Sequence, residues 1–190
     1  MTDIFNDRSS ALSLLRTRRS GKARDLAAPG PDAAQLETIL STASRVPDHG
    51  KLAPWRFVVI EQRERFAGLL TRLATEARVD MGKLERNFFS EFAHQAPVMI
   101  VLLSTPVEGK IPLWEQQLST GAAAQNLLLA AHALGFTANW LTTAAADVPG
   151  LADALGYPGG KIAGFFFIGT QTRPLEERPR PELAQIVSRF

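Results

Sequence analysis

Residues 114–136 read Trp114-Glu-Gln-Gln-Leu-Ser-Thr-Gly-Ala-Ala-Ala-Gln-Asn-Leu-Leu-Leu-Ala-Ala-His-Ala-Leu-Gly-Phe136. From Trp114 to Leu134 there is no proline, and the spacing predicts one long helix that is apolar over most of its circumference. Such a helix is buried in a core or an interface, because no face of it is polar enough to meet water. Gly135 stands where a left-handed residue ends a helix. The most apolar part, Gly121 to Leu134, is interrupted by Gln125, Asn126 and His132 and is too short for a membrane span.

On either side of this helix the pattern changes to strands. Val98 to Leu103, opened by Pro97, is apolar at every position and reads as a strand covered on both faces. Phe57 to Ile60 is a short β-rich run, and Phe136–Thr142 and Ile162–Gly169 supply two later strands. Between the first two strands, Phe66, Leu69, Leu70, Leu73 and Ala77 recur at helical spacing within Arg63–Phe92, which Gly82 divides. Near the start, Leu12, Leu14 and Leu15 mark a first helix. A second follows Pro31, where Asp32 can cap it and Leu36, Ile39, Leu40 and Ala43 form its apolar face. Strict βαβ alternation is absent. The expectation is an α+β fold with helices around one mixed sheet, as a single domain over residues 1–190. The tail from Arg173 carries three prolines and is expected on a surface or over a partner subunit.

Composition narrows the function. With 45% apolar and 21% charged residues, a chain of this length can build a core without staples. The absence of cysteine excludes disulfides, thiolate metal sites, iron–sulfur clusters and a cysteine nucleophile. Histidines 49, 94 and 132 lack metal-ligand spacing, so no metal site is expected. Met1–Ser10 is polar and carries both signs of charge, unlike a signal peptide, and cytoplasm is the expected compartment. A net charge of +2 argues weakly for nucleic acid, although Arg16, Arg18, Arg19, Lys22 and Arg24 are crowded together.

No phosphate loop, dinucleotide fingerprint, metalloprotease helix or nucleophile elbow is present, so any redox or transfer chemistry is expected to come from a cofactor. Three clusters remain. Arg18-Arg19-Ser20 offers two planar guanidiniums and a hydroxyl, suited to a phosphate; alone, it is also an ordinary basic helix end. The loop Arg45-Val-Pro-Asp-His49, closing on Pro54-Trp55, is dense in proline and holds Arg45 and His49 at low entropic cost. Trp140-Leu141-Thr142 ends a buried strand, where ligands often sit in open sheets.

Taken together and in order, these clusters resemble the nitroreductase family, most closely its compact YdjA-like branch. The resemblance spans about Leu14 to Thr170. It rests on Arg18-Arg19-Ser20, on Arg45, Pro47, Asp48, His49, Pro54 and Trp55, and on Trp114-Glu115-Gln116 opening the long helix. Gly135-Phe136, Trp140 and the Gly164–Gly169 strand continue it. The resemblance implies a sandwich of two intertwined subunits with two FMN sites at their interface. Arg18, Arg19 and Ser20 would meet the flavin from one subunit, and Arg45 and His49 from the other. Trp140, Leu141 and Thr142 would line the ring edge or ribityl chain, and Arg173 is a candidate phosphate ligand by position.

The reaction so implied takes a hydride from NAD(P)H and passes two electrons to a small acceptor, with no metal, nucleic acid or membrane involved. Three departures from the branch bear on substrate preference and flavin electronics: Ala53 before Pro54, Leu141 after Trp140, and Gly50 with Lys51 one place later. Other chemistries on this scaffold use a substrate lid, for which Ala74–Phe92 and Ser104–Leu113 are the available segments. A protein that stores or senses FMN, and a basic module binding nucleic acid through Arg16–Arg24, are the alternative readings.

Overall fold

In the computed structural model, residues 5–190 are described. The chain runs α1 (Ala11–Thr17), β1 (Leu26–Ala27), α2 (Ala33–Ala43), β2 (Trp55–Val59), α3 (Arg63–Ala77) and α4 (Lys83–Ala93). It continues with β3 (Val98–Ser104), α5 (Leu113–Ala133), β4 (Thr137–Leu141), α6 (Leu151–Ala154), β5 (Lys161–Gln171) and α7 (Leu183–Ile186). The expected elements are present within a residue or two. The short β1, α6 and α7, which carry little periodicity, are additions to them.

Local chemistry explains the boundaries. Asp32 accepts from the Gln35 amide at 2.8 Å while the Gln35 side chain accepts from the Asp32 amide at 3.0 Å, a reciprocal cap that starts α2. Gly135, at φ +93°, ends α5 as expected: its amide bonds to His132 O and that of Phe136 to Ala131 O. Arg63, at the start of α3, reaches the far end of α4 and donates to Ala93 O at 2.8 Å and Pro97 O at 3.0 Å. Those carbonyls have no helical partner of their own.

The sheet corrects the expectation of mixed pairing: every pairing among the described residues is antiparallel. The reason is the helix pair between β2 and β3. Two packed helices return the chain to its starting end, so β3 comes back against β2, whereas a single crossover helix would have made it parallel. The α5 crossover does leave β3 and β4 running in the same direction, but β5 lies between them and pairs with both. Its far end also pairs with β1.

Alternation along the inner strands fills two cores. Met99, Val101, Leu103, Phe165 and Phe167 face α3 and α4, with Phe92 edge-on to Phe165 and Phe167 at 5.0 and 5.2 Å. Ile100, Leu102, Phe166 and Ile168 face α2 and α5. The result is a helix–sheet–helix sandwich. The middle of α5, including Ala123, Ala124, Leu127 and Ala131, is fully buried within the chain. Its unpartnered apolar side chains lie instead in its first turns, at Leu113, Trp114 and Leu118. No helix among the described residues is long and apolar enough to cross a membrane.

Candidate functional site

The two basic motifs adjoin different stretches of α5. The Arg45–Trp55 loop is stitched to the first half of that helix by its few polar residues. Ser119 Oγ donates to Pro47 O at 2.6 Å, Thr120 Oγ1 to Pro54 O at 3.1 Å, and Asn126 Nδ2 to Arg45 O at 3.0 Å. Asp48 folds the loop on itself by accepting from the amides of Leu52 and Ala53. His49, exposed, donates from Nδ1 to Glu115 Oε2 at 2.6 Å. The Arg45 side chain is exposed and Trp55 is in the core, so the loop presents the first and buries the second.

Arg18, Arg19 and Ser20 lie near the other end of α5. Arg18 is half-buried and donates to Ser20 Oγ at 3.0 Å. Burial, then the charges of Arg180, Arg178 and Arg19, lower its pKa, with Glu177 opposing them. It remains a cation. Four guanidiniums thus share one region, where the exposed Glu177 carboxylate lies 3.1 Å from Arg180 and 3.9 Å from Arg19. The backbone of the tail is held there by Arg19 Nε, which donates to Glu176 O.

His132, from the last turn of α5, adjoins this cluster. It is fully buried, and its Nδ1 donates to Phe136 O at 3.1 Å. Burial drives its pKa down to about 4; the bond to Phe136 opposes that, and the charge of Arg18 adds to it.

Strand β4 ties the Trp140–Thr142 cluster to the Arg18–Ser20 cluster, because Asn139 Nδ2 donates to Gly21 O. Trp140 stacks on Phe166 at 5.5 Å, donates from its indole nitrogen to Ala163 O at 3.0 Å, and keeps 37% of its surface exposed. Leu141 packs on the α3–α4 core, and Thr142 is exposed just beyond the strand. Arg173 pairs with Asp25 at 3.6 Å, in a cavity that Arg19 also lines.

The structure therefore joins Arg18, Arg19 and Ser20 with β4, and leaves Arg45 and His49 apart. Glu115, the partner of His49, and His132, the neighbour of Arg18, are about 25 Å apart along α5 by helical rise. Sequence reasoning missed Arg178 and Arg180, which lie some 160 residues from Arg18 and meet it only through the fold. Of the two segments considered for a lid, Ala74–Phe92 comprises the end of α3, a turn, and nearly all of α4, which packs on α3. The loop before α5 is pinned by Gln116, which bonds the backbone of Val107 and Ile111.

Comparison with known proteins bears on the family and the fold. The model of the Nitroreductase family matches residues 15–170. A Haemophilus influenzae protein named "Putative NAD(P)H nitroreductase" is 38% identical over 174 residues, 90% of this chain and 93% of the relative. The Escherichia coli K12 protein named "Putative NAD(P)H nitroreductase YdjA" is 38% identical over 164 residues, covering 84% and 87%. Among solved structures, a nitroreductase-like family protein from Bacillus cereus superposes with a TM-score of 0.78 at 22% identity, covering 96% of both chains. A Bacteroides fragilis nitroreductase with bound FMN gives 0.66 at 20% identity over 94% of this chain and 97% of that one. The chain belongs to the nitroreductase family.

Proposed function

We propose that the chain is an FMN-dependent oxidoreductase of the cytoplasm. It takes a hydride from NAD(P)H and delivers two electrons to a nitroaromatic, quinone or similar acceptor, as a homodimer. The observation that carries the proposal is the half-buried Arg18, crowded by Arg19, Arg178 and Arg180 with the exposed Glu177 carboxylate among them. Such a site is short of negative charge, and a phosphate supplies it through planar, bidentate contacts.

FMN, when bound, supplies the hydride and electron chemistry. The protein's part is to hold and orient it. Arg18 and Ser20, with Arg19, Arg178 and Arg180, take the phosphate. The backbone and hydroxyl around Trp140–Thr142 guide the ribityl chain and ring edge. Arg45 and His49 serve the flavin held by a second subunit. Leu12 and Leu15 on α1 and Leu113, Trp114 and Leu118 on α5, all more than half exposed, favour an isologous interface there.

The test is a visible absorption spectrum of the purified protein, repeated without air after adding NADPH or NADH. A flavin spectrum that bleaches supports the proposal. Flavin that does not bleach favours storage or sensing, and colourless protein that takes up no FMN overturns the reading in favour of a basic binding module.

A further inference from the structure

The Arg18-Arg19-Ser20 turn owes its backbone shape to a residue outside it. Asn6, half-buried, holds three successive peptide groups around Arg18 and Arg19. Its backbone amide donates to Thr17 O at 3.0 Å. Its side-chain oxygen accepts from the Arg19 amide at 2.8 Å, and its side-chain nitrogen donates to Arg19 O at 3.1 Å. Thr17 O and Arg19 N belong to the peptide groups on either side of the Arg18 Cα. One residue therefore fixes the direction in which the Arg18 side chain leaves the backbone before it turns to Ser20 Oγ at 3.0 Å. Asn6 does this from φ +53°, in the left-handed region that asparagine tolerates better than most side chains. Few residues could replace it: glycine fits the conformation but has no side chain, and aspartate fits it but has no donor.

We propose that Asn6 is a positioning residue for the flavin phosphate: it pre-organises Arg18 and Arg19 without touching the ligand. This rests on the oxidoreductase reading above. Helix α1 ends at Thr17 without a left-handed glycine, and the chain leaves it at Arg18 with φ −55° and ψ 123°. The turn that follows carries two guanidiniums that repel one another. Left free, such a segment samples many shapes, and an anion binding there would have to order it. That ordering would weaken binding. Asn6 orders the turn during folding instead, so the arginines meet the phosphate already in place.

The experiment compares the full-length native chain with Asn6→Gly and Thr17→Val, each shown to be folded by circular dichroism. FMN affinity is read from the fluorescence released on dilution, and exchange of the Arg19 amide by NMR. Asn6→Gly keeps the left-handed conformation and removes both side-chain bonds. It should weaken FMN binding about tenfold, the worth of one net hydrogen bond, and speed exchange of the Arg19 amide. Thr17→Val removes the neighbouring bond from the Asp7 amide to Thr17 Oγ1 at 2.9 Å and spares the Asn6 contacts. It should lower the melting temperature and leave FMN affinity nearly unchanged. Native affinity in Asn6→Gly, an Arg19 amide still protected there, or an equal loss of affinity in Thr17→Val overturns the proposal. If Asn6→Gly does not fold, Asn6→Ser decides: it cannot reach both Arg19 groups at once, and native affinity in it overturns the proposal. A native chain that holds no FMN, yet binds inorganic phosphate in calorimetry more tightly than the Asn6 variant does, upholds the role of Asn6 and refutes the flavin reading. A native chain that binds neither overturns both.

Discussion

Gly164 and Trp140 lie in contact across β4 and β5, and the contact exists only because Gly164 has no side chain. A Cβ at that position would stand 2.0 Å from the indole nitrogen of Trp140. That nitrogen is bonded to Ala163 O, and the ring rests on Phe166, so yielding would break the bond and disturb the stack. Gly164→Ala should therefore displace Trp140 and cost about 1–3 kcal/mol of stability, as overpacking does. Chemical denaturation measures the cost, and tryptophan fluorescence reports the displacement. An alanine variant with unchanged stability and emission would show that the ring can move aside.

His132 makes stability depend on pH. Its folded pKa lies near 4, below the ordinary 6.5, so the unfolded chain binds the proton first as pH falls. The fold carries no penalty from this group above pH 6.5, loses stability as pH drops from 6.5 towards 4, and levels off below that. The full difference is on the order of 3 kcal/mol at most. Melting temperatures at pH 7.5 and pH 5 should differ more in the native protein than in His132→Gln. Equal slopes would mean that the ring is not the group responsible.

Much of the architecture can be read locally, because helix spacing and cap residues are local. Asp32 with Gln35 and Gly135 with Phe136 announce the ends of α2 and α5 in adjacent letters. Pairing direction cannot be read that way. Phe165, Phe166 and Phe167 are apolar toward both faces, so they specify a buried strand without saying which neighbours it has. The site divides along the same line. Arg18 and Ser20 are close in sequence and bond directly. Arg178 and Arg180 reach them only after a proline-broken tail has crossed the surface, and nothing near those two letters signals it. The anchoring of the Arg45–His49 loop does leave a local mark: Ser119 and Asn126, two of the polar residues within α5, bond its backbone.

Arg63 is expected to be worth more to stability than an exposed arginine. Its guanidinium, partly desolvated with a lowered pKa, answers carbonyls at the end of α4 and in the turn into β3. Arg63→Ala leaves those oxygens without their donor and should cost roughly 2–3 kcal/mol. Arg63→Lys keeps the charge but not the fork, and should fall between the two. Urea titration of the three proteins checks the order; a lysine variant as stable as the native chain would show that charge alone suffices.

The position of the tail predicts which arginines govern flavin affinity. Arg178 and Arg180 act on Arg18, whereas Arg173 is turned toward Asp25. Arg18→Ala should weaken FMN binding by about tenfold or more, the worth of a charge-assisted pair of hydrogen bonds. Arg178→Ala and Arg180→Ala should weaken it less, with the loss growing at low salt, where exposed charges are least screened. Arg173→Ala should leave it nearly unchanged. Glu177→Gln should act in the opposite sense and tighten FMN binding, because its carboxylate competes for Arg19 and Arg180. Quenching of FMN fluorescence during titration measures all five proteins against the native chain. If Arg173→Ala proved the most damaging, the flavin phosphate would lie beside Arg173 and not beside Arg18.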